Sequence, residues 1–244
     1  MARSRVYAFL ARAFAEPDAE TCAGLRRSLP DSESALAAVA ATRSRAAIAA
    51  LHAELGGLDE DAFAAAHRAA FGSLASGDCP PYEGEYGHAH VFQKTQCLAD
   101  NAGFIRAFGL AAAPGLAERL DHISVELEFL HVLAAKEAYA LAEGHDDIRL
   151  EIVREATRRY LHEHLGRWAP EFAARLDAKT RVGPYAALAR LLAAFVAEDT
   201  CALGVTPAPM ADVSPDAQAD GEPAACQECA AAAAAFTDAM RGEP

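Results

Sequence analysis

The sequence predicts an all-α protein, organised as a single-domain multi-helix bundle. Apolar residues recur three and four positions apart along most of the chain, which is the spacing of a helix that buries one face. The alternating pattern of half-buried strands is nearly absent, and helical segments do not alternate with strand-like runs. Proline and glycine fall between the periodic segments, where they would end helices.

The individual helices follow from this periodicity. The first is predicted from an apolar stripe that stops before Glu16-Pro17 and consists of Val6, Phe9, Leu10, Ala13 and Phe14. Further helices are predicted over residues 32–55, 59–75, 94–109, 121–143, 146–166, 169–178 and 184–203. Asp121 is the expected N-cap of its helix. Pro170 and Pro184 are expected near helix starts, because a helix does not need the N–H that proline lacks there.

The last fifth of the chain differs in composition, so three segments are predicted. Residues 1–203 form the helical domain, and residues 204–224, rich in proline and acids, form a flexible acidic linker. Residues 225–244 form an alanine-rich tail or short helix with the pair Cys226 and Cys229.

Composition excludes several classes of protein. Of the 244 residues, 52% are hydrophobic and 23% are charged, the balance of a globular protein. No run of about 18 uncharged apolar residues occurs, so no membrane span is expected. Arginine and glutamate interrupt the N-terminal segment, which we interpret as a helix rather than a signal peptide, and we expect a cytoplasmic location. The formal net charge of −13 argues against nucleic-acid binding.

The stretch DCPPYEGEYGHAH, residues 78–90, concentrates chemically active side chains on a predicted loop. One hypothesis is a metal-binding helical bundle, because Glu85 and His88 share with Glu128 and His131 the Glu-x-x-His spacing of di-iron bundles. Prolines and glycines make a regular helix improbable at the first pair. Cys226 and Cys229 are a single pair, whereas zinc sites usually need four ligands.

No catalytic apparatus is visible. The chain has no phosphate-binding glycine loop, no dinucleotide fingerprint and no Gly-x-Ser-x-Gly turn. The run His162-Glu163-His164 is interpreted as a solvated helix face, and Trp168 as a core residue beside Phe172 and Leu176. We therefore expect that the protein is not an enzyme.

Residues 120–138 carry acids near a predicted helix start. Asp121, His122, Glu126 and Glu128 lie there beside an apolar helix face. They could cap the helix and form an i, i+4 pair between His122 and Glu126. They could equally form an acidic receptor for guanidinium groups, which carboxylates bind in bidentate fashion.

Four segments, taken in order, resemble the TorD/DmsD/NarJ group of chaperones that mature molybdenum-containing oxidoreductases. They are residues 5–20, the loop at 80–87, the helix start at 120–134 and HLGRWAPEFAARL at 164–176. The chain departs from the family pattern at Leu120, where proline is usual, and at Gly84 and Glu85 in the loop. The resemblance points towards the branch that serves type II DMSO reductase-like enzymes.

This resemblance implies a helical bundle of the same type that binds the twin-arginine signal peptide of a catalytic subunit. The client would carry the molybdenum cofactor, and the chaperone, a monomer or a dimer, would have no cofactor of its own. Carried over by position, the peptide-binding residues would be Tyr82, Glu83, Tyr86, Asp121, His122 and Glu126, with Phe71 and Leu74 as walls of the groove. A permanent structural subunit of a redox complex is the remaining alternative.

Overall fold

The computed structural model describes residues 1–39, 42–72, 78–87, 91–113 and 118–210. This part of the chain holds nine α-helices and one 3-10 turn, and its only β-type pairing is an isolated bridge. The helices are α1 (Ala2–Phe14), α2 (Thr21–Ala38), α3 (Thr42–Gly56), α4 (Glu60–Phe71), α5 (Val91–Ala107), α6 (Ile123–Ala142), α7 (Asp147–Glu163), α8 (Leu165–Thr180) and α9 (Pro184–Ala202). The all-α prediction is confirmed. None of the described helices is both long and apolar enough to cross a membrane.

The first and last helices lie at the centre of the bundle. α1 packs against α2, α6 and α9, and α9 packs in turn against α3 and α8. The rings of Tyr7 and Phe195 join α1 to α9 edge to face, with centroids 4.9 Å apart. Phe14 meets Phe172 of α8 in the same manner at 5.7 Å. Burial of such large aromatic rings is a main source of stability in a helical core.

An ion pair reinforces the contact between α1 and α9. Arg3 Nε donates to Asp199 Oδ1 at 2.8 Å, and the hydroxyl of Tyr7 donates to Oδ2 of the same carboxylate at 2.6 Å. Asp199 is buried, and these bonds satisfy both of its oxygens. The two ends of the helical domain are therefore held together by charge as well as by apolar packing.

Several helix boundaries differ from the prediction, most of all in the stretch 32–55. The stretch 32–55 is divided between α2 and α3, and α2 already begins at Thr21. This helix contains Gly24 and Pro30, and its residues Leu25 and Leu29 are buried in the core. Tertiary packing here outweighs the low helix propensity of glycine and proline.

The prediction for Pro184 is confirmed, whereas those for Pro170 and for the N-cap of α6 are wrong. α9 begins at Pro184 after Gly183, as predicted. α8 begins at Leu165 and carries Pro170 inside the helix, so the expected helix start at Pro170 is wrong. The N-cap of α6 is His122, whose side chain accepts from the N–H of Ser124, and not Asp121.

The chain after α9 turns back onto the helical domain. The N–H of Ala208 donates to the carbonyl of His162 at 2.8 Å, and Val205 and Met210 pack against the core. The structure describes residues 204–210, the first seven of the segment 204–224. The rest of that segment, and the tail with Cys226 and Cys229, lie outside the described residues.

Candidate functional site

The loop Cys79–Gly87 is held against the start of α6 by backbone hydrogen bonds. The N–H of Glu83 donates to the carbonyl of Asp121 at 2.9 Å, and the N–H of Ile123 donates to the carbonyl of Pro81 at 2.9 Å. Tyr82 and His122 form an antiparallel bridge between these bonds. Two segments identified separately in the sequence are thus one structural unit.

The side chain of Asp121 organises this junction. It is fully buried and forms a bidentate pair with Arg119, with Nε–Oδ1 at 2.9 Å and Nη2–Oδ2 at 2.6 Å. Its Oδ2 also accepts from the N–H of Gly84 at 3.1 Å. Arg119 reaches Glu85 as well, at 3.3 Å. The carboxylate expected to receive a guanidinium group therefore already binds one from its own chain.

Tyr82 lies at the outer edge of the junction and is partly exposed. Its hydroxyl donates to Glu118 Oε2 at 2.8 Å, and the Arg119 guanidinium lies over its ring, 4.6 Å from the centroid. The His122 ring contacts it edge to face at 5.1 Å. Partial burial and the Glu118 hydrogen bond raise the pKa of Tyr82 to about 12, so the phenol stays protonated and remains a donor.

Glu83 points inward and belongs to a buried polar cluster. Its Oε2 lies 2.9 Å from His164 Nδ1 and accepts from Asn101 Nδ2 at 3.0 Å and from Cys97 Sγ at 3.1 Å. The hydroxyl of Tyr160 donates to Asn101 Oδ1. Burial alone would raise the pKa of Glu83, but these hydrogen bonds, above all that with His164, hold it below its ordinary value.

Glu126 lies fully buried beside this cluster. Its Oε2 accepts from the indole N–H of Trp168 at 3.0 Å, and its Oε1 has no hydrogen-bond partner among the described residues. Burial, and the nearby charge of Glu83, raise the pKa of Glu126 well above its ordinary value. A proton on Glu126 donated to Glu83 accounts both for the raised pKa and for the apparently unpaired oxygen. The i, i+4 pair of His122 with Glu126 is absent, because each has another partner.

The remaining candidate residues line an aromatic layer beneath the loop. Phe71 stacks on Phe172 with ring centroids 6.3 Å apart. Tyr86 is buried, packs against Trp168 at 5.1 Å and donates its hydroxyl to the carbonyl of Pro80 at 2.9 Å. Leu74 lies outside the described residues.

A cleft of about 720 Å³ opens beside the junction, between α1, α2 and the first turns of α6. Phe9, Ala8, Ala11 and Val125 give it apolar walls. Its lining includes more acidic than basic groups. The five carboxylates are those of Glu16, Asp18, Asp31, Glu118 and Glu128, and the two guanidinium groups are those of Arg5 and Arg12. Glu118 belongs both to the cleft and to the Tyr82 junction, so the two features are continuous.

The sequence did not identify several of these residues. Glu118 and Arg119 belong to no recognisable motif, and Cys97 and Asn101 lie on an ordinary helical pattern. His164 is buried, so its interpretation as part of a solvated face is wrong. A signal was nevertheless present, because the segment 164–176 that carries the family resemblance begins with it.

The described members of the di-iron hypothesis do not assemble into a ligand group. Glu85 forms ion pairs with Lys94 and Arg119, and His131 Nδ1 lies 2.9 Å from the hydroxyl of Ser4. His88 lies outside the described residues. In the described part of the chain, the single group of three metal-type ligands consists of Glu83, Cys97 and His164.

The chain matches one family model and several known proteins. The family described as the nitrate reductase delta subunit matches residues 13–174, which include the loop, the start of α6 and the buried cluster. The perchlorate reductase assembly chaperone protein of Dechloromonas aromatica (strain RCB) is 33% identical over 115 residues, covering 47% of this chain and 49% of that protein. The selenate reductase assembly chaperone protein of Thauera selenatis is 45% identical over 58 residues, covering 24% and 28%.

The chaperone protein TorD of Vibrio cholerae serotype O1 is 30% identical over 95 residues, covering 39% of this chain and 41% of that protein. The chain thus spans about half the length, or less, of these relatives. The family match covers well over half of the chain, and the relatives are named as chaperones and not as catalysts. The chain belongs to the nitrate reductase delta subunit family, within the TorD/DmsD/NarJ group of assembly chaperones.

Proposed function

We propose that the protein is a cytoplasmic chaperone that binds the twin-arginine signal peptide of a molybdenum-containing oxidoreductase catalytic subunit. Binding would delay export until the cofactor has been inserted and the enzyme assembled. The relatives support this role, because two of them are named as assembly chaperones for perchlorate reductase and selenate reductase. The net charge of −13 also favours encounter with a basic peptide.

The observation that carries the proposal is the acidic, partly apolar cleft beside the Tyr82 loop. A twin-arginine peptide has two guanidinium groups followed by an apolar run, and it needs carboxylates next to an apolar groove. The exposed Glu128 and the partly exposed Glu118 supply carboxylates at the rim, and Phe9 and Val125 supply apolar surface. The volume of about 720 Å³ accommodates several side chains of such a peptide.

The candidate peptide-binding residues divide by exposure into two roles in this proposal. Tyr82 is partly exposed and can contact the peptide directly, as a tyrosine offers both ring area and a polar tip. Glu83, Asp121 and Glu126 are buried and satisfied largely within the protein, so they would position the loop and the start of α6. Direct contact of an arginine with Asp121 would require displacement of Arg119.

A peptide titration tests the proposal. The probe is a synthetic peptide with adjacent arginines and an apolar run, and the control peptide has two lysines in place of the arginines. We expect one peptide to bind per chain, more weakly for the lysine peptide because ammonium groups cannot form bidentate pairs, and more weakly at high salt. Equal affinity for both peptides, or binding to neither, would contradict the proposal.

A pull-down from the native cytoplasm separates the chaperone from a permanent subunit. A chaperone recovers a catalytic subunit that still carries its signal peptide, and high salt releases it. A permanent subunit recovers only mature partners and retains them in high salt. The second result would replace the proposed role.

A further inference from the structure

The buried cluster around Glu83 has a composition that neither the family nor the proposed function explains. We propose that Glu83, Cys97, His164 and Glu126 form a binding site for one Zn²⁺ ion. Imidazole nitrogen, thiolate sulfur and carboxylate oxygen are the donors that zinc accepts in proteins, usually four at a time. This inference goes beyond peptide binding, and its test is independent of any peptide.

The distances within the cluster suit a single ion. Glu83 Oε2 lies 2.9 Å from His164 Nδ1 and 3.1 Å from Cys97 Sγ, and one donor atom from each of the three residues lies within 4.8 Å of the others. In a tetrahedral zinc site the metal–donor distances of about 2.0–2.3 Å separate neighbouring donors by roughly 3–4 Å. An ion could therefore enter with small shifts of side chains.

Glu126 is the proposed fourth donor, although it lies outside the group of three whose donor atoms are all within 4.8 Å of one another. It is fully buried, and its Oε1 lacks a hydrogen-bond partner among the described residues. Its carboxyl group lies beside that of Glu83. A proton shared with Glu83 satisfies this oxygen when no ion is bound, and a bound Zn²⁺ would take the place of that proton.

Zinc is bound by the deprotonated forms of thiols and carboxylic acids. Binding at this cluster would therefore release to solvent any proton that Cys97 or Glu126 carries, and the two positive charges of the ion would balance the negative charges that remain.

Outer contacts and access also fit a metal site. Asn101 donates to Glu83 and accepts from Tyr160, which orients the carboxylate as the neighbours of metal ligands commonly do. His164 lies at the junction of α7 and α8, where the backbone departs from helical geometry and turns the ring inward. Cys97 on α5 is partly exposed and gives the ion a route from solvent.

The test uses the full chain with Cys201, Cys226 and Cys229 replaced by serine, so that these thiols cannot bind the ion. The protein is treated with a chelator and titrated with Co²⁺, which reports tetrahedral coordination and thiolate ligation by absorption. We expect one cobalt ion per chain, a tetrahedral spectrum with a thiolate charge-transfer band, and displacement by one equivalent of Zn²⁺. An octahedral spectrum, a spectrum without the thiolate band, or no uptake would overturn the proposal.

Substitutions assign the ligands. Cys97→Ser should abolish the thiolate band, whereas Cys22→Ser removes another buried thiol, in α2, and should leave it unchanged. His164→Gln should weaken zinc binding by at least about tenfold. A thiolate band that persists in Cys97→Ser would place the ion elsewhere and overturn the assignment.

If these variants fail to fold, as circular dichroism would reveal, X-ray absorption of the zinc-loaded parent protein decides. We expect a first coordination shell with one sulfur and three lighter donors. A shell without sulfur would overturn the proposal. Affinity should also fall as the pH is lowered, because bound zinc must displace protons.

Discussion

The carboxylate of Asp121 accepts a hydrogen bond from the backbone N–H of Gly84 at 3.1 Å, although the two residues are far apart in sequence. An ideal Cβ atom on Gly84 would lie 3.1 Å from the same carboxylate oxygen, so the contact is close. The bond fixes the 3-10 turn Glu83–Glu85 to the start of α6. This hydrogen bond therefore helps to position both Tyr82 at the outer edge of the loop and Glu83, which points inward.

Asp121→Ala should destabilise the protein. It would leave the buried N–H of Gly84 without an acceptor and remove one of the two carboxylates that pair with Arg119, at a cost of about 3 kcal/mol. Asp121→Asn keeps an acceptor and should cost less, about 1–2 kcal/mol. Urea unfolding monitored by circular dichroism measures both. Equal stabilities for wild type and Asp121→Ala would mean that this bond does not hold the loop.

Removal of a negative charge that lines the cleft should weaken peptide binding. Glu128 is exposed on α6 and lines the cleft, so Glu128→Gln should reduce affinity for the twin-arginine peptide about fivefold, roughly 1 kcal/mol. The proposed contact is with a peptide guanidinium, and stability should change little. Isothermal titration calorimetry at low salt gives the affinity.

The matched control is Glu143→Gln, which removes the same charge just beyond the other end of α6 and outside the cleft. If affinity depends only on net charge, both variants will lose the same amount. That result would argue against the cleft as the binding site. A loss confined to Glu128→Gln would support it.

Helical periodicity was sufficient to predict the fold class, because α1 and α6 each bury one apolar face with a spacing that the sequence displays directly. It was insufficient at Thr21–Ala38, where the helix was predicted only from residue 32, although it begins at Thr21 and buries Leu25 and Leu29. Such packing depends on residues distant in the chain and leaves no local signal.

The candidate site was predictable as a set of residues but not as an arrangement. Glu83 and Glu126 have the residue type expected to face a basic peptide, and the structure buries both. Their burial depends on His164 and Trp168, which approach from α8 and its junction with α7 and satisfy carboxylates otherwise costly to desolvate. A sequence pattern cannot report that pairing.

Acidification should weaken the protein through His122. Burial lowers the pKa of His122 from 6.5 to about 4, with Arg119 and His67 acting in the same direction and Asp121 against them. Glu118 Oε2 lies 3.9 Å from its Nε2. As the pH falls, His122 therefore becomes protonated near pH 6.5 in the unfolded chain, but only near pH 4 in the folded protein. The contribution of His122 to stability is complete above this window and is lost as the pH falls through it.

The contribution of His122 to the pH dependence of stability can be measured by comparing wild type with His122→Asn. Between about pH 7.5 and about pH 5, wild type should lose about 2 kcal/mol more of its free energy of unfolding than His122→Asn. Asparagine keeps a side-chain acceptor at the N-cap of α6 but does not titrate. Urea unfolding at the two pH values gives the comparison. Identical losses in the two proteins would exclude His122 as the titrating group.

Two glycines in helices should respond oppositely to alanine. A Cβ atom on Gly166, near the start of α8, would lie 2.2 Å from the carbonyl oxygen of Leu161 and 3.1 Å from Pro207. That backbone atom cannot move without disturbing the junction that carries His164, so Gly166→Ala should cost about 2–4 kcal/mol. Gly103 in α5 has open space around its Cβ position.

Gly103→Ala should therefore raise the free energy of unfolding by about 0.5–1 kcal/mol, through helix propensity alone. Thermal and urea unfolding of the two variants, each compared with wild type, give the sign directly. Because both replace a helical glycine by the same residue, a difference in sign isolates the close approach of the Leu161 carbonyl. A stabilised Gly166→Ala would mean that the α7–α8 junction yields easily, and would weaken the argument that it holds His164 rigidly against Glu83.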